Sequence, residues 1–365
     1  MTSRTLFALT AFFAVPLTSV ARDLWVQGTG PETSGLSPAG SATTSLGAFN
    51  VVINAGTSLQ ANAPALAAFE RAAATWESYL SDPVTVNISA DVLNLGSSSI
   101  LGQASSVILA GGHNLIRNAM VSDSAGESDD GVVALLPTAA QMSFTTAPGM
   151  TYAGNIAISK ANAKALGFTG LDSIFGASDA TIEFNSAFAF DYDRSDGIAP
   201  GTFDFESVAL HEIGHALGFL SAVDEVDFAV SQSLSIEVQP TTLDLFRFAL
   251  GGGNPTTALD FTTGSRNLQS GSAAIFDDLS LEAAFSTGVA TGDGRQASHW
   301  KDNGLTGVLI GSMDPTIAPQ QVFLPSGADL RAFDLIGWDI VSVPEPASVL
   351  LLSLGGLLLG VRRRR

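Results

Sequence analysis

The chain of 365 residues contains no cysteine. That excludes disulfides and every zinc site built on thiolate, so a bound transition metal must be held by His, Asp or Glu. Histidine is almost as scarce, with four in all: His113, His211, His215 and His299. Basic residues are few too, 16 Lys and Arg against 35 Asp and Glu. With the two ends set aside, residues 22–342 keep 34 acids against 11 bases, a formal charge of −23. A body this acidic has no patch for neutralising phosphates, which excludes nucleic acid as a partner. It suits solubility outside the cell.

Both ends read as targeting segments. Residues 1–21 carry Arg4 and then a mostly apolar run from Leu6 to Val20, closed by Ser19-Val20-Ala21. This has the form of a secretory signal peptide. At the other end, Val343-Pro344-Glu345-Pro346 precedes an uncharged run from Ala347 to Val361 and four arginines, Arg362 to Arg365. Fifteen residues are short of the roughly 20 a stable span needs, so transient membrane contact is expected. The arginines would stay cytoplasmic. Pro-Glu-Pro, a short apolar stretch and a basic tail, over residues 343–365, resemble the PEP-CTERM sorting signal of Gram-negative bacteria. The resemblance implies processing by an exosortase-type enzyme. It also implies a place at the cell surface, in the outer membrane or in the extracellular matrix.

Between the ends, residues 22–47 are rich in Gly, Ser, Thr and Pro and read as a flexible lead-in. Residues 48–342 read as one α+β domain. A strand is expected at Ala48–Asn54 and an amphipathic helix over Pro64–Leu80, with Leu66, Phe69, Ala73 and Trp76 on one face. Another strand is expected at Val84–Val92. Tyr152–Ser159 and Ala180–Tyr192 are further strand candidates, and Ala180–Ser186, which alternates as an edge strand would and precedes the capped helix, is expected to bind an extended peptide by strand addition. Asp204 can cap a helix that holds Glu206 in its first turn and stops at Gly218. Leu243–Phe248 reads as a strand and Asp329–Trp338 as a short helix.

The capped helix contains His211-Glu212-Ile213-Gly214-His215. Residues four apart share a helix face, so the two histidines can meet at one zinc ion. Glu212, turned about 100° away, is placed to act as general base on a zinc-activated water. Such a motif can also arise by chance on a surface helix. Here Val208, Leu210, Ile213, Ala216, Leu217 and Phe219 mark the helix as buried, where two histidines and a glutamate need partners.

A catalytic zinc needs a third protein ligand. His-Glu-x-x-His-x-x-Gly, ending at Gly218, resembles the metzincins, in which the residue three after the glycine closes the site. Here that residue is Ser221. Ala297-Ser298-His299-Trp300, followed fourteen residues later by Met313 in Gly311-Ser312-Met313-Asp314-Pro315, is similar to the leishmanolysin-type metzincins. That resemblance implies a zincin-like domain with a mixed sheet, an active-site helix and an insertion over about 219–296. It also implies His299 as third ligand and Met313 beneath the metal. It extends only to residues 204–219 and 297–316.

Alternatives stand beside each assignment. Asp224 or Glu225 could be the third ligand instead, as could His113, although its place in Gly111-Gly112-His113-Asn114 reads as a solvent-facing turn. His299 could be a surface histidine beside a packed Trp300, and Met313 an ordinary core side chain. Asp191, Asp193, Ser195, Asp196 and Gly197 form an acidic turn for which Ca²⁺ is a candidate, although it misses the standard calcium-loop spacing. The expectation is an exported zinc metalloendopeptidase acting on protein or peptide substrates. The rivals are a surface or matrix protein with a structural or vestigial zinc site, and a zinc amidase acting on cell-wall material.

Overall fold

A computed structural model of the protein describes residues 48–341, together with the backbone of Phe7–Ala11 and Trp25–Val26. The segments read above as a signal peptide (1–21), a lead-in (22–47) and a sorting signal (343–365) otherwise lie outside the described residues. Alternation and periodicity place the first elements: β1 (Asn50–Ala55), α1 (Ala63–Tyr79) and β2 (Thr85–Leu93). Asn62 caps α1 by accepting from the Ala65 amide, and Pro64 follows in the first turn, where a missing N–H costs nothing. One stripe of α1, Ala65, Ala68, Phe69, Ala72 and Trp76, is wholly buried.

The main sheet continues with β3 (Ile100–Ser106) and β4 (Ala180–Asn185). Its order is β1-β2-β4-β3, with β1, β2 and β4 parallel and β3 antiparallel to β4. Ala180–Asn185 is therefore an interior strand with both edges taken, not the edge strand its alternation suggests. Its inward Ile182 and Phe184 are buried in the core that α1 covers. Beyond β3 lies Phe7–Ala11, parallel to it, and then Thr316–Ile317. A free sheet edge is a template for any apolar strand.

Helix α2 (Phe205–Leu217) lies against α1 and β3. Asp204 caps it by accepting from the Ser207 amide at 3.0 Å, and Gly218 ends it in the left-handed region, at φ +119°. All thirteen of its residues are buried, so its two histidines are out of bulk solvent and need partners within the fold. Leu243–Phe246 is a 3-10 turn rather than the start of a strand; only Arg247–Ala249 is extended. The cause is Asp244, whose carboxylate accepts from the Thr241 and Ala222 amides and the Ser221 hydroxyl, tightening the turn. The segment 219–296 supplies α3 (Val223–Ser231) and four strands of a five-stranded mixed sheet; Phe144–Thr145 completes it. The chain then passes His299 and closes with α4 (Gly327–Leu335), capped by a reciprocal Ser326–Asp329 pair.

Gly214, inside α2, faces Met313, and a Cβ there would overlap Met313 Sδ. Glycine-to-alanine in a helix interior ordinarily gains about 1 kcal/mol. Overpacking costs about 1–3 kcal/mol and reverses the sign here. Gly214→Ala should lower the thermal midpoint of the metal-free protein, and adding Met313→Ala should recover part of the loss relative to Met313→Ala alone. A midpoint unchanged or raised by the single substitution would show that Met313 moves aside freely.

At the far end of the domain, burial raises the carboxyls of Asp82 to about 9, Asp123 to about 8 and Glu127 to about 9, with Asp339 adding repulsion. Each group holds its proton more tightly folded than unfolded. Its stabilising contribution is full below about pH 4 and is lost as pH rises through about 8 to 9. Above about pH 7.5 the histidines, the ordinary carboxylates and the carboxyls raised only to about 7 have already given up their protons, so these three groups dominate the change up to pH 9. The thermal midpoint should fall over that window, and Asp123→Asn should flatten the fall. A midpoint level from about pH 7.5 to 9 would contradict this.

Candidate metal centre

One turn of α2 separates His211 from His215, and the chain returns 84 positions later to bring His299 beside them. The three Nε2 atoms form a nearly equilateral triangle: 3.0 Å from His211 to His215, and 3.1 Å from each to His299. All three side chains are wholly buried. Each ring turns its other nitrogen to a backbone carbonyl: His211 Nδ1 to Ser312 O at 2.8 Å, His215 Nδ1 to Phe219 O at 2.8 Å, and His299 Nδ1 to Gln296 O at 3.2 Å. A carbonyl only accepts, so each Nδ1 carries the proton and each Nε2 is left with a bare lone pair. Three bare lone pairs cannot hydrogen-bond one another. Burial lowers all three basicities, taking His215 down to about 4, while His299 and His211 are lowered further by their histidine neighbours.

That donor set fits zinc. A point about 2.0–2.1 Å from all three nitrogens, the usual Zn–N distance, lies just off their plane. Neutral imidazoles backed by carbonyls are the ordinary form of histidine ligands. The other convergent group among the described residues, Glu127, Asp130 and Asp334, is all carboxylate and is already engaged by Arg331 through Asp130 and Asp334.

Glu212 sits on the same turn of α2 but points to β3, where its carboxylate lies over Gly102. A Cβ at Gly102 would come within 2.9 Å of Glu212 Oε1. Neither oxygen of Glu212 has a hydrogen-bond partner among the described residues, and burial pushes its carboxyl well above the usual range. A buried carboxylate with no donor is costly. Gly102 is the residue that leaves it room, and the sequence marks it only as a glycine inside a strand pattern, a sign of close approach.

The rival ligands are elsewhere. His113 is buried, not solvent-facing: it begins a helix, and its nitrogens meet Tyr152 Oη at 2.7 Å and Pro137 O at 2.9 Å. The two flanking glycines are strand and cap rather than an exposed turn. Asp224 spends both oxygens on backbone amides, and Glu225 does not join the histidines. In the acidic turn, Asp191 and Asp193 accept from backbone amides within the loop, and no three of its carboxylates converge. Ser221 donates to Asp244 at 2.6 Å.

One organising residue is not legible from motif spacing. Asp329, wholly buried, accepts from Trp300 Nε1 at 2.8 Å, from the Ser312 amide at 2.7 Å and from the Met313 amide at 3.3 Å. It thus fixes both the turn whose carbonyl orients His211 and the indole that follows His299. Trp300 packs on Phe219 and stacks on Phe285, at 4.9 and 5.1 Å between ring centres.

Compared with known protein families, the chain matches the PEP-CTERM protein-sorting motif over residues 342–365. No curated protein and no solved structure matches it. The motif implies recognition by an exosortase-type processing enzyme and indicates export in a Gram-negative bacterium.

Proposed function

We propose that the exported body is a zinc-dependent endopeptidase, with His211, His215 and His299 holding the metal and Glu212 as general base. The observation that carries this reading is the triangle of bare Nε2 atoms together with, on the same turn of α2, a buried carboxylate that has no donor. A structural zinc site would need no such carboxylate. The helix on a mixed sheet, the antiparallel strand β3 and Met313 against Gly214 support the zincin-like reading and, within it, the leishmanolysin-like one. When bound, zinc supplies Lewis acidity, which polarises a carbonyl and lowers the pKa of a coordinated water.

The remaining work belongs to the chain. Glu212 takes a proton from the attacking water and passes it to the departing amine, helped by a burial that keeps its basicity high. The three carbonyls behind the histidines keep each Nε2 deprotonated and aimed. An extended peptide would pair along β3, the strand next to α2 and Glu212, since β4 has no free edge. That position is taken by Phe7–Ala11, inside the segment that reads as an export signal. Its removal would leave the edge of β3 open.

A structural or vestigial zinc site is the second reading, and one observation favours it: all four side chains have zero exposure. Two measurements separate the readings. The purified body, residues 22–342, should carry about one zinc per chain, and His299→Ala should lose most of it; full zinc content in that variant would remove His299 from the site. Glu212→Gln should retain zinc while losing about 10²–10⁴-fold in casein hydrolysis. Zinc-loaded wild type inert toward casein and active on peptidoglycan would make it a cell-wall amidase. Inert toward both, it would be the structural site.

A further inference from the structure

A ligand delivered from 84 positions away has to be located by something other than its own helix. The segment before His299 has no regular structure of its own. It is gripped from two sides by residues of the 219–296 segment. Asp224, in the first turn of α3, accepts from the Ala297 amide at 2.5 Å and from the Ser298 amide at 3.1 Å. Arg247, wholly buried, donates Nη1 to the Ala297 carbonyl at 3.2 Å and Nη2 to the Ser286 carbonyl at 2.8 Å. Ser286 then reaches the far side of the histidine: its amide donates to His299 O at 2.9 Å and its hydroxyl to Trp300 O at 2.8 Å.

The grip is itself anchored. Asp244 accepts from the Ser221 hydroxyl and the Ala222 amide and so holds the start of α3, which fixes where Asp224 points. Arg247 lies 4.6 Å over the Phe285 ring, and Phe285 stacks on Trp300. A carboxylate and a guanidinium both use charge-assisted bonds, stronger than neutral ones. Neither residue reaches the convergent histidine nitrogens.

We propose that Asp224 and Arg247 are positioning residues that clamp the peptide before His299 and so set the third metal ligand. The 219–296 segment then completes the metal centre rather than merely decorating it. This rests on the zinc reading above, and it moves Asp224 from rival ligand to the residue that places the real one.

The test uses the full body titrated with Co²⁺, whose visible spectrum reports coordination, and Zn²⁺ competed against a chromophoric chelator. The variants are Asp224→Asn, close in shape but without the second acceptor, Arg247→Lys, and His299→Ala as the reference for a lost ligand. Second-shell substitutions commonly cost 10–100-fold in metal affinity. Asp224→Asn should weaken zinc by that factor and move the cobalt spectrum toward that of His299→Ala. Arg247→Lys, which keeps the charge but loses the fork, should fall between that variant and wild type. A purely structural role would lower the metal-free thermal midpoint and leave the cobalt spectrum of the folded fraction as in wild type. That result, or zinc affinity within about twofold of wild type in both variants, overturns the proposal. Wild type giving no cobalt spectrum at all would take down the zinc reading and this inference together, a distinguishable failure.

Discussion

The structure turns on three imidazole nitrogens whose lone pairs face one point at 3.0–3.1 Å. Bare lone pairs at that distance repel, and in a buried site the repulsion is poorly screened. The arrangement persists because each ring is tied from behind to a carbonyl, and because those carbonyls belong to three different stretches of backbone. The Phe219 carbonyl follows the left-handed turn at Gly218, the Ser312 carbonyl sits in the turn held by Asp329, and the Gln296 carbonyl leads into the clamped peptide. Each orienting bond is therefore a demand on the fold. A cation at the common point turns the repulsion into attraction.

Seen from that constraint, several oddities of composition have the same cause. Gly214 gives Met313 room against the helix, Gly102 gives Glu212 room against the sheet, and Gly311 gives the Asp329 carboxylate room beneath the Met313 turn. Each is a close approach that a Cβ would block, on a different wall of one site. The buried charges follow a similar logic. Asp329, Asp244 and Arg247 are fixed by several hydrogen bonds apiece, as buried polar groups must be. Glu212 stands apart from them. Neither of its oxygens has a donor among the described residues, which is the pattern the proposed general base requires.

Much of this was legible in the residues because it is local. The α2 boundaries follow from Asp204 and Gly218, and the α1 face from Phe69 and Trp76, since caps and a 3.6-residue period are written into adjacent positions. What could not be read is what depends on tertiary partners. Ala180–Ser186 alternates like an edge strand, yet which strands flank it is a matter of topology. Leu243–Phe248 alternates too, but the Asp244 carboxylate accepts from Thr241 and from residues more than 20 positions away and bends the chain. His113, flanked by glycines, looks solvated until Tyr152 and Pro137 arrive to satisfy it. Spacing alone could never pick out His299, 84 positions from His215; only the Ser-His-Trp context before Met313 pointed there.

The absence of cysteine and the distance of the third histidine belong to one argument. A chain without thiolates is left with His, Asp and Glu for any zinc site, and its only histidines are four. Two are placed by a single helical turn at no topological cost. A third, arriving on a chain segment of its own, brings an entropic cost of ordering, and the fold meets it with side chains that grip backbone rather than with a regular element. Asp224, Arg247 and Asp329 all do this, each bonding to amides or carbonyls within three residues of a ligand or of the carbonyl that orients one. Backbone is the right target: holding the peptide fixes where the side chain starts, while leaving its Nδ1 free for a carbonyl and its Nε2 turned toward the other two histidines.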